Sequence, residues 1–303
     1  MNVLVEAVGS PMWGTLFPLL KQTFNATVGL DINTYSHGLY ALDKGYLVPK
    51  YSSPDAVDAI LDIATRERID VFMPSLHEGL LMWSELSREL AQKGITVLIS
   101  PPDTVRHFHD KWDTYRFFTD NKIPTPPTSL TPEYDLLKPR VGRGGAGIRP
   151  MEVGESFDPD IFISQKFLQG QEYSIDALCD LDGIILCVVV RKRLAVESGL
   201  SVTGIVVDDK EIESMARTLL GSAHFRGPVN MQCFRTDAGM FFTEVNPRLA
   251  GGMSLSMNAT ENWFMLIRKM LEGKKLVPMD VQHDLVMMRH YQDVFVDKRD
   301  LKC

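Results

Sequence analysis

Short apolar runs alternate with helical periodicity from residue 1 to about 100, and that alternation predicts a parallel α/β unit. Val3–Val8 reads as a strand, Met12–Gln22 as a helix and Val28–Asp31 as a second strand. Ser53-Pro54-Asp55 has the form of a helix start, with serine as cap and proline at the first helical position. Val57, Ile60, Leu61 and Ala64 then fall on one face. Val71–Pro74 and Thr96–Ser100 read as strands, separated by a helix from Glu78 to Gln92 that Gly94 ends.

The pattern changes at Pro101. Asp103–Asn121 reads as one helix, stopped by Pro124, Pro126 and Pro127. Strands are expected at Leu136–Lys138 and Phe162–Phe167, then at Tyr173–Leu178 and Ile184–Arg191 around a turn at Asp180–Gly183. With its glycine loop, this segment looks like a small mobile lid running into a larger sheet. A helix over Asp208–His224, a hairpin of Val229–Arg235 with Met240–Val245, and a helix over Glu261–Glu272 closed by Gly273 complete the pattern.

A net charge of -7 without a basic cluster argues against nucleic acid. Cys179, Cys187, Cys233 and Cys303 lack metal-type spacing and are too few for a disulfide scaffold, so a reducing cytoplasm is expected. Glu6 interrupts the first apolar run, which reads as a buried strand and not a signal peptide. Gly183–Val190 is too short to span a membrane. Pro11 stands where G-x-G-x-x-G needs its middle glycine, which argues against a nicotinamide cofactor, although Asp31 ends the second strand as a ribose-binding acid would.

Two segments carry chemistry. In the hairpin, a three-residue loop Asp237-Ala238-Gly239 would pair Thr236 with Met240 and set Gln232 opposite Glu244. Asn246, two residues on, points to the same face. Gln232, Glu244 and Asn246 then form an all-oxygen cluster of the kind magnesium prefers, or else a solvated polar face. The second segment is Lys138 followed by a loop in which Gly142, Gly144, Gly145 and Gly147 let backbone N–H groups approach phosphate. Arg140 and Arg143 add positive charge there, and a flexible surface turn is the alternative. In Gly170–Asp176, Tyr173, Ile175 and Ala177 share one face, while Glu172, Ser174 and Asp176 share the other, where a carboxylate could accept ribose hydroxyls. Gln165, Lys166, Phe167 and Leu168 could offer backbone groups to an adenine edge. His77 reads as a cap or core residue, and His107 and His109 fall on different faces of their helix.

In order and spacing, Lys111, Lys138 with its glycine loop, Gln165–Leu168, Gly170–Tyr173, Gly227–Gln232 and Glu244–Arg248 resemble the ATP-grasp superfamily. The likeness is nearest to members related to the carbamoyl-phosphate synthase large subunit and to L-amino-acid ligases. The resemblance implies an ATP-grasp fold of α/β and α+β class. A Rossmann-like pre-ATP-grasp domain would occupy residues 1–104, a small lobe with the lid 105–168, and a large lobe with the metal site 169–303. It implies that Lys111 and Lys138 contact ATP phosphates beneath a lid containing Gly144 and Gly145. It also implies that Gln165, Lys166, Phe167 and Leu168 form the adenine hinge and that Glu172 binds ribose. Gln232, Glu244 and Asn246 would hold Mg2+, with Mn2+ as an alternative. Arg248 would steady the transferred phosphoryl group, and Arg191 and Arg193 would face substrate. Gln232 is neutral where many relatives place a carboxylate. The chain lacks duplicated halves, so carbamoyl phosphate synthesis itself is not expected.

The implied activity is that of an ATP-dependent ligase joining a small-molecule carboxylate to an amine, with no nucleic-acid or membrane partner. A homodimer is compatible with it. A phosphotransferase stopping at a phosphorylated product and a catalytically silent nucleotide-binding regulator are the alternatives.

Overall fold

A computed structural model describes all residues except Arg143, Ser198, Gly199, Tyr291 and Cys303. Three sheets organise the chain. The first is parallel and contains β1 (Asn2–Glu6), β2 (Ala26–Asp31), β3 (Lys44–Leu47), β4 (Val71–Met73) and β5 (Thr96–Val97), in the order β3-β2-β1-β4-β5. Helices α1 (Trp13–Thr23), α2 (Gly38–Ala41), α3 (Ala56–Arg66) and α4 (His77–Gln92) connect these strands. Strand order reverses between β1 and β4, and in such sheets ligands bind at the carboxyl ends beside the reversal. β3 and α2 were not expected from the sequence. Each is only four residues long, GLYA and KGYL, too short to show periodicity. α3 begins at Ala56 and not at Pro54, because the Ser53 hydroxyl binds the Asp55 carboxylate instead of capping the helix.

The single helix expected over Asp103–Asn121 is two, α5 (Pro102–His109) and α6 (Lys111–Asp120). Asp110 adopts an extended backbone between them, and its side chain accepts from the amides of Trp112 and Asp113 at 2.7 and 3.3 Å. That N-cap satisfies donors a continuous helix would have used internally.

The second sheet is small: β6 (Thr128–Ser129), β7 (Leu136–Pro139), β8 (Arg149–Pro150) and β9 (Phe162–Gln165), in the order β6-β9-β7-β8. The third contains β10 (Gln171–Cys179), β11 (Ile185–Glu197), β12 (Leu200–Val206), β13 (Gly227–Thr236), β14 (Gly239–Asn246) and β15 (Val286–Met288). They run antiparallel in the order β14-β13-β10-β11-β12-β15. Helices α7 (Lys210–Leu220), α8 (Met253–Ala259) and α9 (Trp263–Leu271) pack on this sheet or beside it.

One apolar core joins the first and third sheets. Val3, Val5 and α1 residues Trp13, Leu16 and Leu20 pack in the same cluster as Met253, Trp263, Phe264 and Ile267. Arg268 reinforces the joint by donating to the Thr23 carbonyl at 2.5 Å. The small sheet contributes no residue to that cluster.

Candidate active site

A cleft of about 680 Å3 lies where the three sheets meet. Its lining includes Ser10 and Leu76 from the parallel sheet, Lys138 and Gly145 from the small one, and Glu172 and Glu244 from the large one.

The metal-type cluster forms, but by a different path. The β13–β14 connection is shorter than expected: Thr236 pairs with Gly239 and Arg235 with Met240. A bulge at Thr243 then shifts the register, so Gln232 pairs with Glu244 after all and Asn230 with Asn246. A bulge inserts one unpaired residue, and here it offsets the missing loop residue. Gln232, Glu244 and Asn246 all line the cleft. Arg248 donates to Asn246 Oδ1 at 2.9 Å and to the Leu249 carbonyl at 2.8 Å, bracing the end of the strand. Among the described residues no group of three His, Cys, Asp or Glu side chains could hold a metal alone. The cluster has one carboxylate and two amides, a hard-oxygen set that fits magnesium sharing its shell with phosphate oxygens and water.

The two lysines converge on this cluster from other elements. The Asp110 cap places Lys111 at the start of α6, where its ammonium lies 3.5 and 3.4 Å from the carbonyls of Arg140 and Gly142. Lys138, on β7, donates to Gln165 Oε1 at 2.5 Å. Burial pushes Lys138 down to about 8, against the opposing pull of Glu244, and lowers Lys111 for the same reason. Arg140, expected to serve the glycine loop, instead pairs with Asp110 at 2.9 Å. Arg143 lies outside the described residues. Gly142, Gly144, Gly145 and Gly147 all have positive φ, between 64° and 139°. That backbone is strained for other residues.

Gln165, Lys166, Phe167 and Leu168 are not among the residues lining the cleft. Gln165 is buried and holds Lys138 through its side chain, while its amide nitrogen donates to Thr128 Oγ1 at 2.9 Å. The Lys166 N–H is used by the Pro127 carbonyl at 2.9 Å, and Phe167 is exposed.

The arginines separate. Arg193 forms an ion pair with Glu172, and both line the cleft. Arg191 is buried against Asp176, donating through Nε and Nη2 at 2.7 and 3.0 Å. Asn230 and the Ser256 hydroxyl complete the Asp176 shell at 2.7 and 2.5 Å. Arg191 Nη1 has no hydrogen-bond partner, and the residue lines the cleft beside Gly252. Sequence reasoning missed Asp176, Asn230 and Ser256 as a unit. Strand alternation placed Asp176 on the correct face, but nothing local pairs it with Ser256.

Glu6 was also missed. It is buried at the end of β1, where its Oε1 accepts from the Ser75 and Leu76 amides, each at 2.7 Å, and so shapes the cleft wall. Burial raises its carboxyl above the usual range. His77 packs as expected: it stacks on His109 at 4.5 Å and bonds its carbonyl at 2.8 Å. Burial, then the neighbouring His109, push it down to about 4. His107 contacts Phe108 and Phe117 instead.

Comparison with known proteins places these features in a context. Residues 158–293 match the family described as "ATP-grasp in the biosynthetic pathway with Ter operon", and residues 13–98 match the PylC-like N-terminal domain. A carbamoyl-phosphate synthase of Methanobrevibacter smithii is 24% identical over 190 residues, which is 56% of this chain and 50% of that protein. The chain thus spans half the length of this curated relative. The biotin carboxylase domain of Hydrogenobacter thermophilus 2-oxoglutarate carboxylase, solved as a dimer with MgADP, ADP and bicarbonate, superposes with a TM-score of 0.71. It is 17% identical, over 94% of this chain and 73% of that one. Staphylococcus aureus N5-carboxyaminoimidazole synthetase with ADP superposes with a TM-score of 0.73 at 15% identity, over 95% of this chain and 81% of that one. Among the described residues no helix is long and apolar enough to cross a membrane. Residues 158–293 are thus similar to an ATP-grasp family and residues 13–98 to the PylC-like N-terminal domain, and nearly the whole chain shares the fold of these ADP-bound enzymes.

Proposed function

We propose that this chain is an ATP-dependent ligase that activates a small carboxylate as an acyl phosphate and couples it to an amine, releasing ADP and phosphate. One observation carries the reading. Lys111 and Lys138 place two ammonium groups in the cleft, both lowered by burial, and they donate hydrogen bonds to the neutral oxygens of Arg140, Gly142 and Gln165. Burial outweighs the pull of Glu244 on both ammonium groups, and a polyphosphate would supply the further negative charge that offsets its cost.

Each element then has a task. Lys111 and Lys138 neutralise phosphate charge beneath the glycine loop, whose N–H groups approach without Cβ interference. Glu172 would accept ribose hydroxyls, with Arg193 orienting it, and Gln165–Leu168, which lie outside the cleft lining, would offer adenine the backbone groups that Pro127 does not use. Gln232, Glu244 and Asn246 supply oxygen donors for magnesium, which would draw charge from the phosphate oxygens. The same donors suit manganese. Arg248 and Arg191, which both line the cleft, would steady the point where a carboxylate oxygen attacks the γ-phosphorus and ADP departs. In the second half-reaction the amine nitrogen attacks the acyl carbon, phosphate leaves and the nitrogen loses a proton. Catalysis would rest on positioning and preorganised charge, with the loop excluding water.

The proposed division is residues 1–104 for substrate, 105–168 for the lid and 169–303 for the metal. The free, buried Cys179, Cys187 and Cys233 support a reducing cytoplasm. A homodimer, the form named for the Hydrogenobacter domain, is part of the same proposal. Phosphate release with amino acids supplied singly and in pairs tests the reading. Release requiring a pair, with the amide seen by mass spectrometry, is expected. A phosphorylated acid that persists with every amine would make the protein a phosphotransferase.

A further inference from the structure

Arg289 follows β15 and anchors to the large sheet through its own amide, which donates to the Val202 carbonyl at 2.8 Å. Its guanidinium reaches two other segments. Nη1 donates to the Pro11 carbonyl at 2.7 Å, and Nη2 to the Gly251 carbonyl at 2.6 Å. Pro11 sits between Ser10 and Met12, which line the cleft from the parallel sheet, and Gly251 lines it from the loop after β14. One planar cation therefore ties together two walls of the cleft.

Each wall is anchored at its flanks, by Ser10 N–H to the Ala7 carbonyl at 2.9 Å, Trp13 N–H to the Ser10 carbonyl at 3.0 Å and the burial of Met12, Leu249 and Ala250 in the shared core, so the staple acts on Pro11 and Gly251 between those anchors. Pro11 has no N–H to donate. Gly251 and Gly252 carry no side chains, and the loop's internal bonds are few, including Met253 N–H to the Ala250 carbonyl and Leu255 N–H to the Gly252 carbonyl, each 3.1 Å. The loop also seats Arg191: a Cβ on Gly252 would come within 2.4 Å of Arg191 Nη1. Moving Gly251 thus moves the surface against which Arg191 is packed.

We propose that Arg289 is a positioning residue. It fixes the separation of the Ser10–Met12 and Leu249–Gly252 loops and so sets the mouth that receives the non-nucleotide substrate. Arginine suits this task because its rigid fork presents several donors at once, whereas lysine's single ammonium is a point donor on a flexible stem. The inference rests on the ligase reading for what occupies the mouth, but not for the staple itself.

Hydrogen exchange tests the staple without turnover. In Arg289→Ala, peptides covering residues 8–14 and 249–256 should both exchange about tenfold faster, the effect of losing roughly one net hydrogen bond. Peptides from β10 and β13 should not change. Arg289→Lys should restore protection to one loop at most. In phosphate-release assays with a mixture of the common amino acids, Arg289→Ala should raise the mixture concentration giving half-maximal rate about tenfold, by the same loss of roughly one net bond, while the ATP requirement stays the same. Unchanged exchange in both loops, full restoration by lysine, or a rise spread evenly over the large sheet would each overturn the assignment. If the wild-type protein releases no phosphate, the ligase reading falls, and the exchange result still decides the role of Arg289.

Discussion

Lys138 holds its charge in a place where burial opposes it, which makes its titration a reporter of what the cleft binds. The folded protein releases that proton at about 8, whereas an unfolded lysine keeps it to 10.5. The unfolded chain therefore binds more protons between those values, so nucleotide-free stability should rise with pH from about 8 toward 10.5. An anionic ligand favours the charged form, so affinity for a non-hydrolysable ATP analogue should fall as pH climbs above about 8. In Lys138→Arg, whose guanidinium stays charged, the decline should shrink to what Lys111 contributes; a decline matching the wild type would remove Lys138 from the site. Lys138→Ala should lose activity and keep its melting temperature. Asp176 behaves oppositely. It accepts four bonds in a buried network, and Asp176→Ala leaves Arg191 buried without its counter-charge. Urea unfolding should show a loss of about 3–5 kcal/mol, and a loss under about 1 kcal/mol, the range of surface pairs, would mean that Arg191 finds water or another partner. The sequence made Glu244, Asn246 and Lys138 readable because strand alternation and a glycine loop are local signals. The partners of Asp176 were not readable, since Asn230 and Ser256 reach it only through tertiary packing.

Elements position these residues more finely than periodicity can. A shorter turn and a bulge at Thr243 together leave Gln232 opposite Glu244, so the expected pairing was right through two compensating departures. The break at Asp110 matters more for function, because it makes Lys111 the first residue of a helix and aims it at the glycine loop. An aspartate within a polar helical pattern gives no clear sign that it will cap instead of continue. The glycine loop itself was plain in the sequence. Cβ atoms at Gly144 and Gly145 would meet nothing within 4 Å, so the segment is held by little packing. Such segments open at low free energy, and phosphate contacts would favour one closed arrangement. Amides of residues 141–148 should therefore exchange more slowly when magnesium and a non-hydrolysable ATP analogue are added, with β10 changing less. Equal protection in both states would make the loop a rigid turn and remove the closing lid from the account.

At the scale of the molecule, the parallel sheet and the large antiparallel sheet share one core through α1, α8 and α9, while the small sheet stands outside it. The shared core should make the first and third sheets unfold together, with fluorescence from Trp13 and Trp263 tracking a single transition; two separated transitions would show that the joint is weak. The alternation of strands and helices made the parallel sheet legible, and the order of motifs made the ATP-grasp likeness legible. The joint was not, because the apolar faces of α1 and α9 look like ordinary amphipathic stripes until they are packed against each other. This arrangement gives the account its mechanical form: a fixed floor and wall carrying Glu244, Asn246 and Arg248, and a separate small sheet carrying Lys138 and the glycines. The central claim is that these parts close around a magnesium–ATP complex. Titration calorimetry with a non-hydrolysable ATP analogue, run with and without magnesium on the wild type and on folded Glu244→Ala, tests it most directly. Magnesium-dependent binding in the wild type that is lost or sharply weakened in Glu244→Ala is the predicted result; equal binding by both proteins, or none by the wild type, would contradict it.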